Sequence, residues 1–158
     1  PKTAGGIFAT DGSIYFSPFG HNQIQSVRAA NGGVSATPTP TSTMGSWSQP
    51  IVGRDGRLYF LPLSTTGRIM VRRPNTVQNL VSFLTTPAGQ SYNTGILAPD
   101  GKIYAFPLNN TNSVGRILVI DTNVEASEVP PVSFVGPTID AGWGAMAMSA
   151  DGLIYGLP

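Results

Sequence analysis

The chain has 158 residues, only 11% of which are charged, and a formal net charge of +1. This balance leaves no basic footprint for nucleic acid, and the absence of a run of about 18 apolar residues predicts no membrane insertion. Cysteine is absent, which excludes disulfides, thiolate metal sites and cysteine nucleophiles. The 19 glycines and 14 prolines favour short strands joined by turns.

One eight-residue phrase occurs four times along the chain, as DGSIYFSP, DGRLYFLP, DGKIYAFP and DGLIYGLP. Its four turn pairs are Asp11-Gly12, Asp55-Gly56, Asp100-Gly101 and Asp151-Gly152. A period of roughly 40 to 50 residues is typical of propellers, kelch-type arrays and helical solenoids. Asp-Gly between apolar runs predicts a β-hairpin, and no segment keeps the apolar stripe of a helix.

Each copy predicts four strands in the same order. The first strands are the apolar runs 6–9, 50–53, 95–98 and 145–149, and the second strands follow the Asp-Gly turns. The third strands are 24–27, 68–71 and 116–120, and the fourth strands start at Val34, Val81 and Val132. Four strands joined by successive hairpins predict a propeller blade.

The second strands are apolar on both faces, as at Ile14, Tyr15 and Phe16. A strand that is apolar on both faces is covered on both, as when blades stack on each other. The predicted fold class is therefore an all-β β-propeller of four-stranded antiparallel blades, with three full blades and half a blade. The predicted blade units are 3–46, 47–91, 92–142 and 143–158.

A closed propeller needs at least four blades. We therefore expect the partners of this chain to be other protein subunits or the remaining blades of a longer chain.

The turn motif and the strand after it, "ILAPDGKIYAFP" (96–107) and "GRILVID" (115–121), resemble the NHL, SMP-30 and streptogramin-lyase-like propeller superfamily. The resemblance covers nearly the whole chain and implies a propeller fold. Enzymes of this kind use histidines with an acid and magnesium, or a divalent cation held by acids and Asn. Here the one histidine, His21, is expected at the surface, and the repeated aspartates are expected to serve turn geometry. We predict no catalytic residue, metal or cofactor in this chain.

An aromatic residue stands eight positions before three of the four aspartates: Trp47, Tyr92 and Trp143. With the neighbouring Gln49 and Asn93, these rings form a candidate ligand site, since an aromatic ring with polar neighbours can bind a sugar. The alternative is that the rings wedge between blades as regular packing. The pair Arg72-Arg73 is expected to be a solvated strand end, and Asn109 begins a possible glycosylation sequon.

These patterns predict a non-catalytic module for recognition, adhesion or structural display. We expect it in an extracellular, cell-surface or virion (tail or fibre) assembly, with glycans as possible ligands and no nucleic acid partner. Two alternatives stay open: part of a lyase-like or lactonase-like propeller enzyme whose catalytic residues lie outside this chain, and a protein–protein scaffold.

Overall fold

The computed structural model describes residues 2–39, 45–64, 68–74, 81–85, 90–110, 114–125 and 127–157. Every regular element within these ranges is a β-strand. None of the described residues belongs to a helix long and apolar enough to cross a membrane.

The strands form consecutive four-stranded sheets, which are the predicted blades. Blade 1 consists of β1 (Lys2–Phe8), β2 (Ser13–His21), β3 (Gln23–Arg28) and β4 (Val34–Pro38), and the short β5 (Gly45–Ser46) pairs with the end of β2. Blade 2 consists of β6 (Ile51–Val52), β7 (Leu58–Phe60), β8 (Arg68–Arg72) and β9 (Val81–Thr85). The short β10 (Gln90–Ser91) follows blade 2.

Blade 3 and a final hairpin complete the array. After β10 come β11 (Ile96–Leu97), β12 (Lys102–Ala105), β13 (Asn109–Asn110), β14 (Val114–Asp121) and β15 (Val132–Asp140). Blade 3 has the order β11-β12-β14-β15, while β13 pairs with β10. The half-blade is the hairpin of β16 (Ala145–Met148) and β17 (Ile154–Leu157). All these pairings are antiparallel, so the predicted all-β class with four-stranded antiparallel sheets is confirmed; the boundaries between units stay predictions.

The repeated phrase builds the same turn in every copy. Its glycines have φ values between 74° and 85°, in the left-handed region that favours glycine. In blades 1 to 3 the aspartate Oδ1 accepts a hydrogen bond at 3.0 Å from the backbone N–H two residues later. The other oxygen accepts the hydroxyl of the phrase tyrosine at 2.6 to 2.7 Å. One carboxylate therefore holds both the turn and the strand that follows it.

Two apolar interfaces join the full blades. Tyr15 and Ile24 of blade 1 pack with Leu58, Phe60 and Met70 of blade 2. The opposite face of blade 2 packs on blade 3 through a second set, which includes Tyr59, Ile69, Val71, Ile103, Leu118 and Ile120. Blade 2 is thus covered on both faces, and burial of each such side chain contributes about 1.5 to 3 kcal/mol.

The two ends of the array differ from its middle. Phe8 of blade 1 is exposed, and so are Leu153, Tyr155 and Leu157 of the half-blade. Tyr155 occupies the phrase position of Tyr15 and Tyr59, which the following blade buries.

The expectation that Arg72 lies at a solvated strand end is wrong. Arg72 is 7% exposed, and its guanidinium lies 4.9 Å from the centre of the Tyr15 ring. The side chain faces blade 1 because it shares a strand face with Met70. Arg73, one residue later, is half-buried.

Candidate functional site

The predicted aromatic residues lie on segments that link one blade to the next, at the end of the second strand opposite the Asp-Gly turn. The backbone N–H groups of Trp47, Tyr92 and Trp143 each donate to the carbonyl of the last proline of the preceding phrase. These bonds join Trp47 to Pro18 at 3.2 Å, Tyr92 to Pro62 at 2.7 Å and Trp143 to Pro107 at 3.3 Å.

Each linking segment is also bonded to the blade that it enters. The Ser48 N–H donates to the Leu61 carbonyl, the Leu108 N–H to the Ser91 carbonyl and the Gly144 N–H to the Leu157 carbonyl, each at 2.8 Å. Every linking segment is therefore fastened to two neighbouring blades by backbone hydrogen bonds.

Trp47 is enclosed in the interface between blades 1 and 2. Its ring is 4% exposed, lies against Gly45 and is 6.5 Å from the Phe83 ring. The indole N–H donates to the Arg68 carbonyl at 3.3 Å, which satisfies its polar edge. The packing interpretation accounts for these contacts, and ligand binding by Trp47 stays a prediction.

Tyr92 is more deeply buried, with no exposed surface. Its hydroxyl lies 2.5 Å from the Gln90 Oε1 and 3.5 Å from the Arg116 carbonyl, and burial raises the pKa of Tyr92 well above its ordinary value. The ring presents no open face in this structure, so any ligand contact by Tyr92 also stays a prediction.

Trp143 is the half-buried member of the three. Its ring lies 5.6 Å from the Phe106 ring at an angle of 45°, and its indole N–H donates to the Asp140 carbonyl at 2.6 Å. The Asn93 amide is close by and donates to the Gly144 carbonyl at 2.5 Å. We refer to Trp143, Phe106 and Asn93 as the Trp143 cluster. It combines partly open aromatic surface with an amide, which is the chemistry that binds a sugar ring.

Sequence reasoning missed Phe106. The sequence does contain a signal for it, which is an aromatic residue at the seventh position of the phrase. The other copies carry Ser17, Leu61 and Leu157 at that position. The predicted Gln49 lies apart from the Trp143 cluster, and its exposed side chain donates to the Gly6 carbonyl at 3.2 Å. Gln49 therefore connects the start of blade 2 with the first strand of blade 1.

Sequence reasoning also missed a buried link between blades 2 and 3. The Arg57 guanidinium donates to the carbonyls of Glu128 at 2.8 Å and Glu125 at 2.7 Å, while its Nε lies 3.3 Å from the Asp55 carboxylate. Both side chains are at most 5% exposed. Burial, followed by the hydrogen bond to Asp55, raises the pKa of Tyr59 above its ordinary value. We refer to this group as the Arg57 link.

The described residues do not fit the metal that the family resemblance implies. No group of three or more His, Asp or Glu side chains among them is placed to hold an ion. His21 lies at the end of β2, half-buried, and its Nδ1 accepts the Gln23 N–H at 3.2 Å. The sequon at Asn109 includes Thr111, which lies outside the described residues.

No family model and no curated protein sequence matches the chain. Its fold matches solved structures of virginiamycin B lyase from Staphylococcus aureus. One is a catalytically inactive variant with quinupristin, at a TM-score of 0.72 and 14% identity. Another is the selenomethionine-substituted lyase, at a TM-score of 0.71 and 15% identity. Each match covers 98% of this chain and 48% of the lyase chain. The chain therefore has the predicted β-propeller fold, over a length that corresponds to about half of the virginiamycin B lyase chain.

Proposed function

We propose that this chain supplies rigid blades to a non-catalytic propeller module that recognises or displays ligands in a surface or virion assembly. The observation that carries the proposal is that backbone hydrogen bonds join each linking segment to two neighbouring blades. The first of these bonds is accepted by the Pro18 carbonyl and the last by the Leu157 carbonyl. Such a scaffold holds loops and half-buried side chains in fixed positions, which lowers the entropy cost of binding.

Carbohydrate is the ligand class that fits the Trp143 cluster. The ring of Trp143 provides apolar surface for the face of a sugar, and the Asn93 amide provides polar groups for its hydroxyls. The other candidate rings, Trp47 and Tyr92, are buried, and their backbone N–H groups bond their own linking segments to the preceding blades.

Glycan binding by the whole protein tests this role. A glycan array probed with the parent protein is expected to give a defined set of sugars, and Trp143→Ala is expected to weaken that binding roughly tenfold or more, the loss of one good aromatic contact. Phe8→Ala removes an exposed ring elsewhere and is expected to leave binding unchanged. An array without any bound sugar, or an equal loss in both variants, would contradict the carbohydrate role.

A second candidate function is part of a propeller enzyme, and the likeness to virginiamycin B lyase favours it. On this hypothesis the catalytic groups are supplied by blades outside the 158 residues, and this half positions the substrate. Incubation of the whole protein with quinupristin and magnesium, followed by mass spectrometry, distinguishes the two functions. The recognition proposal expects quinupristin to remain intact; cleavage that depends on the protein would replace it with the enzyme hypothesis.

A further inference from the structure

A polar groove of about 360 Å³ lies between blades 1 and 2 at the Asp-Gly end of the strands, away from the Trp143 cluster. We refer to it as the blade 1–2 groove. The lining residues that matter here are Ser13, Ser26, Arg28, Asn31, Ser35 and Arg72.

Two of these residues break the pattern of the repeat. Ser26 pairs with the phrase tyrosine of blade 1, and the same position is Val71 in blade 2 and Val119 in blade 3. Its exposure is only 9%, so a hydroxyl replaces a buried valine in the blade interface. Burial of a hydroxyl in place of a methyl group costs free energy, and departures from a local rule are expected at functional positions.

Arg72 is the second departure, on the facing blade. It pairs with Leu58, and the corresponding residue is Ile120 in blade 3 and Val27 in blade 1. A cation thus stands at an apolar core position of the repeat, with its guanidinium held 4.9 Å from the Tyr15 ring centre. Ser26 and Arg72 therefore place a hydroxyl and a cation at the edge of the blade 1–2 interface, at positions where blade 3 carries Val119 and Ile120.

The charges in the groove determine which ligand it suits. Arg28 provides a second cation, and Ser35 extends the row of hydroxyls because it pairs directly with Ser26. Asp11 also lines the groove, but its carboxylate accepts the Tyr15 hydroxyl at 2.7 Å and the Ser13 N–H at 3.0 Å. Two cations and one anion leave a single positive charge, which matches a monoanion better than a dianion.

We propose that the blade 1–2 groove binds a carboxylate on a polar molecule of about monosaccharide size, such as a uronic acid. Guanidinium groups bind carboxylates through charge-assisted hydrogen bonds, and the serine hydroxyls and Asn31 amide suit a ligand rich in hydroxyls. The groove volume lies within the range of small-ligand sites. This inference extends the proposed recognition function to a second site, independent of the Trp143 cluster.

Titration of the protein with glucuronate, followed by two-dimensional NMR, tests the site. Saturable shifts are expected at the amides of Ser26, Arg28 and Ser35, with glucose as the uncharged control giving none. Inorganic phosphate is the third probe and is expected to bind more weakly than glucuronate because it is partly a dianion at neutral pH. Equal responses to glucose and glucuronate, or tighter binding of phosphate, would overturn the assignment.

Variants connect the response to the named side chains. Arg72→Ile restores the residue type of blade 3, and it is expected to weaken glucuronate binding roughly tenfold or more through loss of a charged hydrogen bond. Arg28→Ala changes an exposed residue and is expected to weaken binding by about the same factor, which keeps the test decisive if Arg72→Ile does not fold. Arg116→Ala, on blade 3, is the matched control and should bind normally. Unchanged glucuronate binding in Arg28→Ala would overturn the proposal. Because the Trp143 cluster is a separate site, Trp143→Ala should retain glucuronate binding even where it loses glycan binding.

Discussion

Replacement of Arg57 by alanine is expected to lower the free energy of unfolding by about 3 to 5 kcal/mol, the usual loss when one partner of a buried ion pair is removed. The Asp55 carboxylate would remain buried without its countercharge, and the carbonyls of Glu125 and Glu128 would lose their donors. Because Arg57 bonds blade 2 to blade 3, its replacement should lower the stability of both blades together. Urea unfolding monitored by circular dichroism measures it.

Lys102→Ala is the matched control, since Lys102 follows the Asp-Gly turn of blade 3 as Arg57 follows that of blade 2. Lys102 is half-buried and is expected to contribute only about 0.5 kcal/mol. The double variant Asp55→Asn, Arg57→Met should recover part of the stability lost in Arg57→Ala because no unpaired charge is then buried. Equal losses in Arg57→Ala and Lys102→Ala would mean that the Arg57 link does not stabilise the blade interface.

Replacement of Trp47 by alanine is expected to cost about 3 to 5 kcal/mol, the range for loss of a buried large aromatic side chain. The change would leave a cavity between blades 1 and 2 and remove the donor to the Arg68 carbonyl. Gly45, which lies directly beneath the ring, is too small to fill the space. Thermal and urea unfolding should both show the loss, with the strand signal in circular dichroism retained before the transition.

Trp143→Ala provides the comparison for Trp47→Ala. Trp143 holds the same repeat position but is half-buried, so a loss of about 1 to 2 kcal/mol is expected. Trp47→Phe, which keeps an aromatic ring but not the indole N–H, should fall between the parent and Trp47→Ala. A larger loss at Trp143 than at Trp47 would contradict the difference in packing.

Much of the architecture could be predicted because the interactions that form the repeated turn and strand involve residues close together in the sequence. Asp11 and Gly12 define a turn through side-chain capping and a positive φ, which depend on neighbouring residues alone. The apolar pattern around Ile14 and Tyr15 then predicts a strand covered on both faces. Repetition of these local signals is sufficient to predict stacked blades.

The candidate site was less predictable, since exposure depends on which blade faces which. Trp47 and Trp143 hold equivalent positions in the sequence, yet one is enclosed and the other is half-buried. Phe106 joins Trp143 only through the packing of blade 3 on the half-blade. Sequence spacing contains no information about that contact.

The amino-acid sequence by itself determined the strands, the four turns and the stacked blade architecture, because turn chemistry and apolar alternation act over a few residues. Only the tertiary structure decided which charged side chains are buried. The sequence predicts a solvated strand end for Arg72 and gives no indication that Arg57 is buried, yet both side chains lie buried between blades. Their environment is set by the opposing blade, whose residues are distant along the chain and come close only when the sheets pack.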